Sequence, residues 1–315
     1  MKKTYVVSAK RSAIGSFLGS LTTVNPADLG ATVVKALFED ANVAPENVDE
    51  VLCGNVLGAG LGQNVGRQVA IKAGIPETVC AHSVNMVCGS GLRTVMEGVM
   101  SIQTGFNDIV VAGGVESMSG APYLIPANTR TGNKMGDFKV VDHMIYDALT
   151  DAFDNIHMGI TAENIADKYG ITREMQDEFA YASQTKAIAA VDSGRFKDEI
   201  VPVEVKLRKE VVTFDTDEHP NRKSNPEKLA KLRPAFKKDG TVTAGNASGI
   251  NDGASFVLLA SEEAVEKYNL TPICEIVGIG QGGVDPKVMG LGPTPAIRHA
   301  LQNANMKLDE IELVE

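Results

Sequence analysis

The sequence has no tryptophan, and aromatic residues make up only 5% of it. A core without large aromatics must be filled by aliphatic side chains packed to native density. Cysteine is also scarce: Cys53, Cys80, Cys88 and Cys274 are scattered along 315 residues, and no two form a CxxC pair. That excludes a disulfide-stapled secreted scaffold and a structural zinc site, and it points to reduced thiols in a cytoplasmic setting. No apolar run approaches the roughly 18 residues a membrane span requires. The opening MKKTYVVSAKRS lacks the long apolar stretch of a signal peptide and reads as a first strand. Positive charge is in deficit too. The formal net charge is −10, which argues against a general nucleic-acid binder but leaves room for a local basic site.

What is present is a soluble globular chain, 43% apolar and 22% charged, long enough for one large or two ordinary domains. Its first 120 residues alternate strand and helix. YVVSAK, VDEVLCGNV, TVCAHSVNMV and DIVVAGGVES read as strands, and DLGATVVKALFEDA, GRQVAIKAG and GLRTVMEGVMSIQTG as helices. The alternation predicts a mostly parallel sheet covered on both faces. From about 120 to 248 the pattern changes. APYLIPANTRTGNKMGDFK is irregular and polar, and ITREMQDEFAYASQTKAIAAVDSG reads as a helix capped by Thr172 and closed by glycine. Between Arg195 and Lys238, twelve basic residues, Arg208, Lys209 and Arg222 among them, stand against eight acidic ones. Such a stretch is either a solvated face or a landing surface for phosphates. ASFVLLAS (254–261) returns to buried-strand character.

The end of the chain repeats its beginning. Ala36-Leu37, Ala41-Asn42-Val43 and Val48–Val51 have counterparts, in the same order, at Ala300-Leu301, Ala304-Asn305-Met306 and Leu308–Ile311, and ICEIVGIG matches the opening strand. Three matches in one order predict a duplicated unit. The second copy has no counterpart of residues 55 to 120, so a longer protein, truncated near Glu315, is expected.

Cys88 in VNMVCGSGLRTVME follows a strand and stands where a helix begins. Unpaired N–H groups at a helix start carry partial positive charge and favour a thiolate, the reactive form of cysteine. Gly89 and Gly91 leave the sulfur open, and the Cys88 amide can face an oxyanion formed on attack at a thioester carbonyl. The alternative is a small buried cysteine at a tight turn. Core packing is expected for Cys53, Cys80 and Cys274, which lie in or beside apolar runs. Among the histidines, His82 stands too far back along its strand, and His219 and His299 read as surface residues. Of the five, which also include His143, His157, ahead of a helix in DNIHMGITAEN, is the best local candidate for a base, though it stands in no general-base motif. GAGLGQNVG (58–66) departs from the dinucleotide fingerprint at Gln63 and lacks the later acid, and no GxSxG or GxxxxGK[ST] occurs. AGNASGINDGA (244–254) is a tight turn of small and amide residues.

Taken together, NMVCGSGLR, GGVESMSGAPY, HMGITAEN, KLRPAF, GTVTAGNASGINDGA and GVDPKVMGLGPTPA make the chain resemble the thiolases over essentially its whole length, and among them the biosynthetic acetyl-CoA acetyltransferases. A ketoacyl-synthase relative shares the cysteine-on-helix plan, but HMGITAEN and AGNASGIND favour the thiolases. The resemblance implies an α/β thiolase fold of two similar halves in a five-layer αβαβα arrangement. It places an N-terminal half at residues 1–118 and 250–268, an inserted loop domain for CoA binding and oligomer contacts at 119–249, and the start of an incomplete C-terminal half at 269–315.

The same resemblance implies a reversible Claisen condensation of two acetyl-CoA into acetoacetyl-CoA and CoA through an acyl-Cys88. The substrates are CoA thioesters, with no cofactor, metal, nucleic acid or membrane partner. It places Leu149, His157, Met158, Phe236, Ala244 and Ser248 along the pantetheine channel. Where the family often has an arginine near the CoA nucleotide this chain has Asn221, so Arg222 is the candidate. Homotetramers or homodimers in the cytoplasm are implied as well. The family's later motifs, NEAF, GHP and CxGG, do not occur in these 315 residues, so of the chemical apparatus only Cys88 maps. A non-catalytic CoA-binding or assembly protein that keeps the loop domain is the competing reading.

Overall fold

A computed structural model describes residues 2–207 and 210–315; Arg208 and Lys209 of the basic stretch lie outside the described residues. The chain divides into two compact units. One comprises the residues up to Leu149, Phe196–His219 and Gly249–Cys274, and the other Thr150–Arg195, Pro220–Ser248 and Glu275–Glu315.

The first unit contains β1 (Thr4–Ser12), α1 (Pro26–Ala41), β2 (Glu50–Gly54), α2 (Val65–Lys72), β3 (Cys80–Val84), α3 (Ser90–Gln103) and β4 (Ile109–Ser117). It continues with the hairpin β5 (Val203–Leu207) and β6 (Glu210–Phe214) and with β7 (Asn251–Ser261). The sheet runs β1-β7-β4-β2-β3. β2 is parallel to both β3 and β4, but β7 is antiparallel to both β1 and β4. The sheet is therefore mixed rather than mostly parallel. Strands joined by α2 and α3 obey the parallel crossover rule, whereas β7 returns after a long excursion without a crossover helix and is free to enter in the other direction.

Alternation of side chains along the strands sorts the core. Val51, Cys53, Val111 and Phe256 join the aliphatic cluster built with Leu29, Val33 and Val34 of α1 and Val69 of α2. α3 packs on β2 and β4 and buries Thr94, Val99 and Ile102. α1 starts at Pro26 behind an Asn25 cap whose side chain accepts from the Ala27 amide at 2.9 Å, which supplies a partner for one of the helix's open donors.

Three expectations need correction. Cys80 and Cys274 are exposed, not core. Cys80 lies on β3, which ends the sheet and has a strand neighbour on one side only, so an apolar run there is not evidence of burial. In ICEIVGIG only Cys274–Glu275 is strand, since the segment lacks the continued pairing that would extend it. The basic stretch, third, is divided between the units: its residues up to His219 belong to the first and those from Pro220 to the second.

The second unit carries α4 (Met158–Tyr169), α5 (Arg173–Asp192) and α6 (Pro293–Ala304). Thr172 caps α5 as expected, its hydroxyl accepting from the Met175 amide at 3.3 Å, and Gly194 follows at φ 72°. The internal repeat has a local counterpart. α1 and α6 both end on an asparagine in the left-handed region, Asn42 at φ 50° and Asn305 at φ 53°. Each is followed by an amide that reaches back to close the last turn, Val43 to Phe38 and Met306 to Leu301, and then by a short 3-10 turn.

Phe256 is 1% exposed and is among the largest fully buried side chains. Phe256→Ala is expected to lower the unfolding free energy by about 3–5 kcal/mol, read from urea denaturation.

Candidate active site

β3 stops at Val84, and the chain turns through Asn85–Gly89 directly into α3. The turn is tight enough to put Val87 at φ 47°, a left-handed conformation that a β-branched residue adopts only at a cost of about 1–3 kcal/mol. Hydrogen bonds hold it there. The Val87 amide donates to Asn85 Oδ1 at 3.0 Å, and the Gly89 amide donates to Met86 O at 3.1 Å. The Ser90 hydroxyl accepts from the Met86 amide at 2.8 Å and donates to Val87 O at 2.5 Å.

Cys88 sits at the crest of this turn, exposed, immediately before α3. The first turn of α3 rests on the end of β2. A Cβ at Gly54 would lie 2.6 Å from Gly91 N and 2.9 Å from Ser90 Cβ, so only glycine allows the approach.

Cys88 opens on a cleft of about 580 Å³ whose lining includes Leu57, Val87, Met118, Leu149 and, among the few charged groups, Glu116 and Asp252. The structure thus brings Cys88 and Leu149 to one cleft. Glu116 accepts from the amides of Val56 (2.9 Å) and Leu57 (3.0 Å) and from Asn55 Nδ2 (3.1 Å). Burial nevertheless raises its carboxyl above the ordinary range, because the loss of water outweighs those bonds. Asp252 is 1% exposed and accepts from the Ser119 amide through Oδ1 at 2.9 Å. These carboxylates escaped the sequence reading, since an acid between small residues in a strand carries no periodic signal.

Among the other histidines, His82 lies between Glu50 (3.6 Å) and Glu97 (3.7 Å), and His219 and His299 are exposed as expected. His143 is buried and pairs through Nδ1 with Asp147.

In the second unit His157 caps α4 by accepting from the Gly159 amide through Nδ1 at 3.0 Å. That bond assigns the proton of the neutral ring to Nε2, and burial lowers the pKa of the ring. With its lone pair engaged and its other nitrogen a donor, His157 is set up as a hydrogen-bond donor and not as the base the sequence suggested. It stacks on Phe236 with ring centroids 4.6 Å apart and an interplanar angle of 20°. A Cβ at Gly159 would come within 2.2 Å of the Phe236 ring, so the glycine makes the stack possible.

Met158 follows in the first turn of α4, and Ala244 and Ser248 are exposed on the loop after Thr243. Glu163, 1% exposed, holds that loop by accepting from the amides of Thr241 (2.9 Å) and Val242 (2.8 Å). Asn246 Nδ2 donates to Asp177 on α5 at 2.9 Å. Arg222 is exposed and forms a two-pronged pair with Asp192, an arrangement in high dielectric worth little stability. No helix among the described residues is long and apolar enough to cross a membrane, and no group of three or more His, Cys, Asp or Glu among them is placed to hold a metal ion.

The four thiols differ sharply. Cys53 is fully buried in β2, and burial pushes its thiol up to about 12, whereas Cys80, Cys88 and Cys274 are exposed. Iodoacetamide at neutral pH is expected to label Cys80, Cys88 and Cys274 in the native protein and Cys53 only after denaturation, with peptide mass spectrometry as the readout. Labelling of native Cys53 at a rate like the others would contradict the burial argument.

Comparison with known proteins agrees with this geometry. A model of the thiolase N-terminal domain matches residues 4–263, and one of the thiolase C-terminal domain matches residues 270–315. The chain is 53% identical over 315 residues to an acetyl-CoA acetyltransferase of Escherichia coli K12, an alignment covering 100% of this chain and 80% of that protein. Against an acetyl-CoA acetyltransferase of Syntrophomonas wolfei the identity is 52% over 316 residues, covering 100% and 79%. The crystal structure of the Bacillus anthracis acetyl-CoA acetyltransferase matches 99% of this chain and 79% of its own with a TM-score of 0.96 at 43% identity. With a mixed sheet between helices, a cysteine at the strand-to-helix turn and family matches over nearly all of its length, the chain has the thiolase fold and belongs to the thiolase family.

Proposed function

We propose that the chain performs the acyl-transfer chemistry of an acetyl-CoA acetyltransferase, which condenses two acetyl-CoA to acetoacetyl-CoA and CoA. The observation that carries this is the exposed Cys88 at the head of α3, opening on an apolar cleft, in a chain 53% identical to a protein of that name. In the first step the Cys88 thiolate attacks the acetyl carbonyl carbon. A carbon–sulfur bond forms, the thioester oxygen takes the negative charge, and collapse of the intermediate expels the CoA thiolate, leaving acetyl-Cys88. Amides at the start of α3 are suited to the developing oxyanion. In the second step the α-carbon of another acetyl-CoA, after losing a proton, attacks acetyl-Cys88; a carbon–carbon bond forms as the carbon–sulfur bond to Cys88 breaks, acetoacetyl-CoA departs, the Cys88 thiolate returns, and the α-proton ends on the CoA thiolate expelled in the first step.

The pantetheine arm is read as passing Leu149, His157, Met158, Phe236, Ala244 and Ser248, with the neutral His157 donating from Nε2. The loop region 119–249 supplies all of these groups, and Arg222 is the candidate for a CoA phosphate if it exchanges Asp192 for that anion. The chemistry calls for no cofactor or metal. A cytoplasmic homotetramer or homodimer is the setting this reading favours.

The half-reaction is tested by exchange: unlabelled acetyl-CoA is incubated with isotopically labelled CoA, and labelled acetyl-CoA is measured. Exchange by the chain is expected to depend on Cys88, so that Cys88→Ala reduces it by about a thousandfold or more. Undiminished exchange in the alanine variant would remove Cys88 from the reaction.

A further inference from the structure

The turn that presents Cys88 is strained, and its strain is not compensated by burial of the strained side chain. Val87, at φ 47°, leaves 44% of its surface exposed, so packing does not hold it in the left-handed region. Ser90, in contrast, is 3% exposed, and its one hydroxyl serves both sides of the turn. It accepts from the Met86 amide before Val87 and donates to the Val87 carbonyl. The β-carbon that carries it lies against Gly54, where a side chain would come within 2.9 Å, so the hydroxyl has little room to turn away. An alanine at position 90 keeps the helix but takes the hydroxyl acceptor from the Met86 amide and leaves the Val87 carbonyl with the Ser90 amide alone, 3.0 Å away.

We propose that Ser90 is the positioning residue of the Cys88 thiol: its hydroxyl bridges Met86 N and Val87 O, holds Val87 in the left-handed conformation, and so fixes the sulfur at the head of α3. Ser90 acts through the backbone of the turn. Asn85, which accepts from the Val87 amide, assists from outside. If the bridge is lost, Val87 relaxes toward the extended conformation it prefers, and Cys88 swings away from the helix start.

The inference rests on Cys88 as the acyl acceptor, but its test uses no acyl-CoA, so failure of the exchange assay and failure of this proposal are separable. Rates of iodoacetamide labelling are measured for each thiol by mass spectrometry in the full chain, with exposed Cys80 and Cys274 as internal references. Ser90→Ala is expected to slow Cys88 about tenfold while the references keep their rates. Adding Val87→Asn, a residue that tolerates the left-handed region, is expected to restore Cys88 to within about threefold of the starting protein. A general packing defect does not produce that rescue. An unchanged Cys88 rate in Ser90→Ala, equal slowing at all exposed thiols, or no rescue in the double variant overturns the proposal. Should Ser90→Ala unfold, seen as labelling of buried Cys53, Asn85→Ala decides. Selective slowing of Cys88 there supports the proposal, and an unchanged rate overturns it.

Discussion

The constraint that sets the Cys88 turn is the backbone contact between the end of β2 and the first turn of α3. Gly54 allows Gly91 and Ser90 to approach to a distance at which no side chain fits. Once α3 begins that close to the sheet, the five residues after β3 must reverse direction in almost no space, and Val87 takes the left-handed conformation as a result. Cys88 is then carried at the crest, exposed, just ahead of the helix start. The position of the Cys88 sulfur follows from Gly54, 34 residues earlier in sequence, and from a serine hydroxyl.

The surroundings divide the remaining work by chemistry. In the first unit the exposed sulfur borders a mostly apolar cleft, and the carboxyls near it are tied to backbone amides or buried, so they stabilise loops more than they charge the cleft. Within the second unit a neutral imidazole is stacked on Phe236 with its lone pair consumed by a helix cap. A ring in that state offers one well-directed N–H and a flat apolar face, which suits the amide-and-methylene arm of a CoA thioester. Glu163 and Asn246 fasten the loop of small residues that follows. Each of these groups is positioned by bonds to backbone, which fixes it more tightly than a surface ion pair such as Arg222–Asp192 would.

Much of this was legible in the sequence. Strand and helix alternation located β1 to β4 and the helices between them, and a cysteine flanked by glycine and serine after an apolar run marked the turn. Periodicity could not show that β7 enters antiparallel, because direction depends on a connection of more than a hundred residues and not on local pattern. Nor could it separate the buried Cys53 from Cys80 on an edge strand, since both stand in similar apolar runs. Val87 was hidden for a different reason: valine is among the poorest residues for its conformation, so no propensity argument predicts it there. The roles of Ser90, Glu116 and Glu163 depend on partners that only the folded backbone brings near.

The central claim is that Cys88 at this turn accepts the acyl group. Its most direct test is to incubate the chain with acetyl-CoA, quench with acid and map the acetyl group by peptide mass spectrometry. The account predicts a thioester acetyl on the peptide carrying Cys88, sensitive to hydroxylamine and absent from the Cys88→Ser variant. An acetyl group found only on Cys80, Cys274 or lysine side chains, with Cys88 unmodified, would contradict it.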